Sequence, residues 1–277
     1  MSTFIWLASY PKSGNTWIRA FLSSVRQNGS SVDINQLDVV IQPSARMFLD
    51  DQLGIATVDL TQEEILLARP AALSACSLYA DDVVMHKVHD AWIRNSVEQA
   101  LFPPELTRAS VYIVRDPRDV AISFAHHLGK PIDYAIDQMA SNDASLGVNI
   151  GRFTYNTCQP LRTWSQHVES WLDQASPVPL LVRYEDMQAD PVEQGTLIAR
   201  HVGFDCPASV YERAVQNTSF HELSKQENQN GFLEALSPGR RFFRAGKVGG
   251  WKNVLSSEQI TRIEQVHGPV MQRLGYL

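Results

Sequence analysis

The first seventeen residues constrain the fold most. Phe4-Ile5-Trp6-Leu7-Ala8 is a short, β-rich apolar run of strand length. Ser9 to Trp17 follows as a turn containing Pro11 and Gly14, and a helical pattern then runs from about Thr16 to Gln27. A strand feeding a tight turn and a helix is the opening unit of a parallel sheet. The rhythm repeats, with strands expected at Val83 to Val88, Val111 to Val114 and Pro179 to Arg183. Helices are expected at Arg118 to His127, at Tyr155 to Ala175, and from near Ser257 with Ser256 or Ser257 as N-cap. The fold class is therefore α/β: a single domain over residues 1–277 with a central, mainly parallel sheet flanked by helices. Lys130 to Arg152 and Lys225 to Gly250 read as irregular. The second holds Gly231, Pro238, Gly239, Gly246, Gly249 and Gly250, and loops of that length often serve as lids or binding segments.

The turn after the first strand has the chemistry of an anion site. Gly14 allows the backbone to fold tightly and approach a ligand. With Thr16 or Asn15 as N-cap, the N–H groups of the first helical turn face whatever lies above the strand end. Lys12 adds a positive charge at the same mouth. The order Lys12-Ser13-Gly14 is not that of a Walker A loop, in which the glycine precedes the lysine. A second anion site follows Val111 to Val114. Asp116 suits an N-cap and Pro117 the first helical position, so Arg115 falls at the carboxyl end of a strand, where open α/β sheets place their ligands. Its guanidinium can grip a phosphate with two parallel hydrogen bonds, and Ser123 can add a hydroxyl from about two turns into the helix. The competing reading of Arg115, Asp116, Arg118 and Asp119 is a surface ion-pair cluster.

Charge and composition narrow the partners. A net charge of −6 argues against a nucleic-acid binder, which needs a basic surface to displace counterions. It leaves room for a polyanionic ligand held by locally converging cations. Cys76, Cys158 and Cys206 form no C-x-x-C pair, so neither a zinc knuckle nor a disulfide framework is readable, and no metal is expected. No apolar stretch is long enough for a signal peptide or a membrane span. The chain reads as cytoplasmic.

Taken together, these residues resemble the cytosolic-type sulfotransferases that use 3′-phosphoadenosine-5′-phosphosulfate (PAPS), and the resemblance runs nearly the whole chain. Tyr10-Pro11-Lys12-Ser13-Gly14-Asn15-Thr16-Trp17 resembles the family's 5′-phosphosulfate loop, usually Y-P-K-S-G-T-T-W. In that resemblance Trp17 stacks on adenine. Arg115 and Ser123 are similar to its 3′-phosphate pair. Arg183-Tyr184-Glu185-Asp186-Met187 and Asn217-Thr218-Ser219-Phe220 resemble stretches that approach the adenine, which assigns Tyr184, Thr218 and Phe220 to it. Phe243 to Asn253 resembles R-K-G-x-x-G-D-W-K-N, whose first residues, here Arg244, Ala245 and Gly246, return to the 3′-phosphate. The chain departs from the pattern at Asn15, which still donates a hydrogen bond, at Ala245, which removes a cation, and at Gly250, which removes an aspartate. The family's dimer signature is not kept after Lys252, so the oligomeric state stays open.

The resemblance implies transfer of a sulfuryl group from PAPS to a hydroxyl or amine of a small-molecule acceptor, without a metal. Such a transfer needs stabilised charge and a base for the acceptor's proton. Lys87-Val88-His89 resembles the family's K-T-H segment. Alternation along a strand points Lys87 and His89 together and His86 the other way, which favours His89 as the base. Lys87 would hold the sulfuryl oxygens, Lys12 the bridging oxygen, and Ser13 would restrain Lys12. The rival readings are a nucleotide-dependent phosphotransferase and a non-catalytic nucleotide-binding protein. Within the family, sulfonation leading on to elimination is a further alternative.

Overall fold

The computed structural model describes residues 3–38, 42–80, 82–147, 154–235 and 241–277. In chain order it contains β1 (Phe4–Ser9), α1 (Asn15–Arg26), α2 (Arg46–Leu53), α3 (Gln62–Tyr79), β2 (Val84–Val88) and β3 (Thr107–Val114). Then come α4 (Pro117–Leu128), α5 (Ile132–Met139), β4 (Ser145–Leu146), β5 (Gln159–Pro160), α6 (Trp164–Glu169) and β6 (Leu180–Arg183). The C-terminal run is helical: α7 (Tyr184–Ala189), α8 (Pro191–His201), α9 (Ala208–Asn217), α10 (Phe220–Asn230) and α11 (Ser257–Arg273). A four-stranded, mainly parallel sheet has the order β2-β1-β3-β6 and is flanked by helices, while β4 and β5 form a small antiparallel pair.

Two compact units divide the chain: Met1–Tyr10, Val39–Tyr112 and Ser141–Leu181 form the first, and Pro11–Asp38, Ile113–Ala140 and Val182–Leu277 the second. In the first, β1 and β2 pair in parallel from Phe4↔Val84 to Ala8↔Val88. Every residue of β1 is buried, which explains the unbroken apolar run: a central strand has no solvent face. Trp6 lies beside His86 and donates from Nε1 to Thr107 Oγ1 at 2.8 Å. An ion pair between Arg69 and Asp90 is fully buried here. In the second unit, α1 and α8 approach closely, and a Cβ on Gly195 would stand 2.7 Å from Phe21 Cζ. Asp116 caps α4 by accepting from Arg118 N, with Pro117 as the first helical residue.

Several expected elements change. The helix expected from Tyr155 begins only at Trp164, where Thr163 and Gln166 form a capping box, and it continues as a π-helical turn over Ser170–Gln174. Pro160 lies in β5, and Arg162 takes a φ of 60°, so the preceding residues do not join the helix. Both stretches read as irregular contain helix. Ile132–Met139 is α5, which buries Ala135, Ile136 and Met139 on one face. Helix α10 reaches Asn230, started by Ser219 accepting from Glu222 N. Its polar composition hid it, since Leu223 and Glu227 are its buried side chains. Pro238, Gly239 and the end of the first stretch lie outside the described residues. Helix α3 starts at a capping box, Thr61 with Glu64, a signal present in the sequence.

Two buried histidines make stability depend on pH. Burial pushes His167 of α6 and His267 of α11 from the ordinary 6.5 down to about 4. Each stays neutral in the native protein while the unfolded chain takes up a proton. Their contribution is full above about pH 6.5 and is lost as pH falls toward 4, by roughly 3 kcal/mol each. Glu185 opposes this, because burial raises its carboxyl and protonation then favours the native state. Urea unfolding at pH 7.5 and pH 4.5 should show a lower midpoint in acid, and the difference should shrink in His267→Phe. Equal acid sensitivity in wild type and variant would refute the assignment.

Candidate active site

The phosphate loop lies in the second unit. Gly14, not Asn15 or Thr16, is the N-cap of α1, with φ 109° and no side-chain cap. The reason is steric: Gly14 is in the left-handed region, and a Cβ there would stand 2.7 Å from Tyr184 Cδ2. The first intrahelical bond runs from Trp17 N to Gly14 O at 3.0 Å, so the N–H groups of Asn15 and Thr16 precede the helix's own ladder. Lys12 also takes a positive φ of 70°. Left-handed residues alternating with others turn successive N–H groups to one side, as anion-binding nests do. Trp17 stacks on Phe21 of the same helix, with ring centroids 5.9 Å apart.

Arg115 joins the separate motifs of this unit. Its Nη1 donates to Lys12 O at 3.3 Å and its Nη2 to Lys247 O at 2.9 Å, while the guanidinium lies 4.3 Å from the centroid of the Tyr184 ring. The phosphate loop, the end of β3, the start of α7 and the 243–253 segment therefore meet at one side chain. Gly246 is equally constrained, since a Cβ would stand 2.5 Å from Phe220 Cδ2. Arg244 is exposed and Ala245 half-buried in the same segment. Ser123 is half-buried on α4. Thr218 is fully buried, and its Oγ1 donates to Ala214 O at 2.7 Å, so this hydroxyl proton is engaged in its own helix end.

The acidic residues near Arg115 are not a surface cluster. Asp116, Arg118 and Asp119 are all buried. Arg118 pairs with Asp116 at 2.8 Å and Glu264 at 2.7 Å, and stacks on Trp251. Asp119 accepts from Gly249 N at 2.8 Å and Trp251 N at 2.9 Å, which anchors the loop that carries Arg244 to Gly246. A Cβ on Gly250 would stand 3.6 Å from Asp119 Oδ1, an ordinary contact distance, so nothing in the structure explains the glycine at this position.

Lys12 is held in a way the sequence did not suggest. Its ammonium sits 3.4 Å from the centroid of the Phe242 ring, a cation–π contact. Glu227 fixes that ring by accepting from Phe242 N at 2.5 Å and Phe243 N at 2.9 Å. Ser13 Oγ is buried and has no hydrogen-bond partner among the described residues, and the same holds for Arg115 Nε. Buried donors left unsatisfied are costly, and an anionic ligand oxygen would satisfy them. With the Gly14 cradle, this is the fit expected for a phosphate-bearing donor.

His89 lies in the first unit, one residue beyond the sheet pairing of β2. Its Nδ1 is 2.9 Å from Ser9 O and 3.4 Å from Ser9 Oγ. A carbonyl only accepts, so Nδ1 carries the proton and Nε2 holds the lone pair. His86 is turned the other way, fully buried among Phe4, Trp6 and Phe48 with centroid distances of 5.2, 5.3 and 5.7 Å. Lys87 is buried opposite Leu7 in the β1–β2 register.

A model of the sulfotransferase domain matches residues 2–275. The chain belongs to the sulfotransferase family. Sulfotransferase 1A1 of Canis lupus familiaris is 26% identical over 288 residues, covering 97% of this chain and 83% of the relative. A flavonol 3-sulfotransferase of Flaveria bidentis is also 26% identical, covering 98% and 81%. The fold is similar to that of retinol dehydratase solved with androsterone and 3′-phosphoadenosine-5′-phosphate (PAP), at a TM-score of 0.65 and 20% identity, covering 98% and 81%. A mouse sulfotransferase solved with PAP gives 0.60 at 21% identity, covering 98% and 85%. The sulfotransferase thus has a second unit whose phosphate-loop residues, Arg115, Tyr184, Phe220 and Gly246 form one connected cradle, and a first unit that orients His89. Asp119, which the sequence offered only as part of an ion-pair cluster, supports the 243–253 segment, and Glu227 and Phe242 support Lys12. Their roles were hidden because each acts through backbone N–H groups or a ring distant in sequence.

Proposed function

We propose that this sulfotransferase takes PAPS as donor and passes its sulfuryl group in line to a hydroxyl or amine of a small-molecule acceptor. The observation that carries the donor reading is the convergence on Arg115 of the phosphate loop, Tyr184 and the 243–253 segment, with Ser13 Oγ and Arg115 Nε buried and unsatisfied beside them. PAPS, when bound, supplies the sulfuryl group and leaves as PAP. Arg115 and Ser123 hold the 3′-phosphate together with Arg244 and the Gly246 backbone. Tyr184, Phe220, Trp17 and Thr218 accommodate the adenine, Thr218 through packing and its hydroxyl oxygen. Ser13, Gly14, Asn15 and Thr16 bind the 5′-phosphosulfate through the loop and the helix start. His89 Nε2 takes the acceptor's proton as the acceptor oxygen or nitrogen bonds to sulfur. Lys12 neutralises charge on the bridging oxygen as its bond to sulfur breaks, and Lys87 steadies the sulfuryl oxygens.

Residues 1–277 act as one sulfotransferase domain in this reading, supported by the family match over 2–275. For the hydroxyl class of acceptor, support comes from the flavonol named for one relative. A cytoplasmic location is proposed from the cytosolic relatives. No helix among the described residues is long and apolar enough to cross a membrane.

Calorimetric titration with PAP, beside ATP and 5′-AMP, tests the donor. Tight binding that requires the 3′-phosphate is expected. Arg115→Ala should weaken it by about 1–3 kcal/mol, the range for charged hydrogen bonds. A magnesium-dependent preference for ATP would instead establish a phosphotransferase.

A further inference from the structure

We infer that His167 is a positioning residue for the base, closing a ring of hydrogen bonds that fixes the His89 imidazole; this rests on the reading of His89 as the base. All members of the ring lie in the first unit. His167 is fully buried on α6, and both of its nitrogens are engaged. Its Nε2 lies 3.0 Å from His89 O, a carbonyl, so Nε2–H donates. Its Nδ1 then has the lone pair and accepts from Tyr112 Oη at 2.8 Å. Tyr112 Oη in turn accepts from Tyr10 N. On the other side, His89 Nδ1–H donates to Ser9 O. Ser9 C=O and Tyr10 N–H belong to the same peptide unit. The ring thus starts and ends on one planar group, at the end of β1.

The sheet alone does not hold His89. The β1–β2 register ends at Ala8↔Val88, so the backbone of the base lies just past the ladder. The face of α6 and its π-helical continuation takes over. His167 binds His89 O, Trp171 Nε1 donates to Asp90 O at 3.0 Å, and Ser170 Oγ accepts from Trp92 N at 3.0 Å. Of these, His167 alone contacts the peptide of the base itself. It is suited to the task because burial holds it neutral, and a neutral imidazole can donate at one nitrogen while accepting at the other. With its carbonyl pinned by His167, the His89 ring meets Ser9 O through Nδ1 and leaves Nε2 as the basic nitrogen.

Two substitutions separate this role from general packing. His167→Gln keeps a donor able to reach His89 O. His167→Asn keeps only a group able to face Tyr112. In long-range proton–nitrogen correlation spectra, His89 of the wild type and of His167→Gln should show the Nδ1–H form. His167→Asn and His167→Phe should gain several-fold in the Nε2–H form. Turnover should fall about 10-fold to 100-fold in the Asn and Phe variants, the range for outer-shell partners of a reactive group, and stay within about threefold in Gln. PAP affinity should hold within about twofold in all of them. If the Phe variant does not fold, Tyr112→Phe, which removes the Oη–His167 hydrogen bond, should shift the His89 tautomers and turnover in the same direction by a smaller factor. Gln behaving like Phe, or unchanged tautomers and turnover throughout, would overturn the inference. His89→Ala run alongside separates the two readings. Full activity there removes the base, whereas an inactive His89→Ala beside unaffected His167 variants removes only the positioning role.

Discussion

His89→Ala lowers sulfuryl transfer by about 10²–10⁴-fold, the contribution of a positioned general base, while PAP affinity stays within about twofold. The split follows from where the residue acts. A base that takes the acceptor's proton contributes in the transition state and not in binding the nucleotide. In the proposed role the wild-type ring is already oriented, because Nδ1–H donates to Ser9 O and the proton acceptor is Nε2. His89→Asn is the sharper variant. Its amide nitrogen can still donate to Ser9 O, so local geometry is kept while the proton acceptor is lost, and activity should fall as far as in the alanine variant. Initial rates with a phenolic acceptor and calorimetry with PAP provide the two readouts. Retained activity in both variants would move the proton acceptor elsewhere. It would not move it to His86, which is enclosed by Phe4, Trp6 and Phe48.

Lys12→Met should cost about 10²–10³-fold in turnover, the loss seen when one donor to a developing oxyanion is removed. PAP has no sulfuryl group and no breaking bond, so its affinity should change far less. The structure adds a second component. The ammonium rests over Phe242, whose backbone N–H donates to Glu227, so part of the environment of Lys12 is a cation–π contact. Phe242→Leu should therefore leave PAP affinity nearly unchanged and alter turnover by no more than the value of one cation–π contact, about 0.5–2 kcal/mol. A Lys12→Met enzyme with normal turnover and weakened PAP binding would assign the lysine to the nucleotide phosphates instead.

Much of the site was legible because the donor's demands are local. A phosphate loop needs a glycine at a strand–helix joint, and Gly14 is there; an arginine at a strand end needs only the Val111 to Asp116 pattern. Strand parity separated His89 from His86, since alternation is fixed by backbone geometry and survives any tertiary arrangement. Helix boundaries with clear caps, Asp116 before Pro117 and Ser256 before Ser257, were equally readable.

The sequence by itself determined the α/β class, the glycine-bearing turn between β1 and α1, the arginine at the end of β3, and the opposite facing of His86 and His89. Each of these depends on spacing of a few residues, and short-range backbone geometry enforces them. Only the tertiary structure decided that Gly14 must yield to Tyr184, 170 residues on in the chain, and that Asp119 accepts from the backbone of Gly249 and Trp251. It also decided that Phe242 receives Lys12 and that His167 secures the peptide of His89. α5 and α10 formed where composition suggested loops because their few apolar side chains, such as Ile136 and Leu223, found a buried surface. Contacts of this kind join side chains that no local periodicity relates, and they become readable only once burial has brought distant segments within a few ångströms.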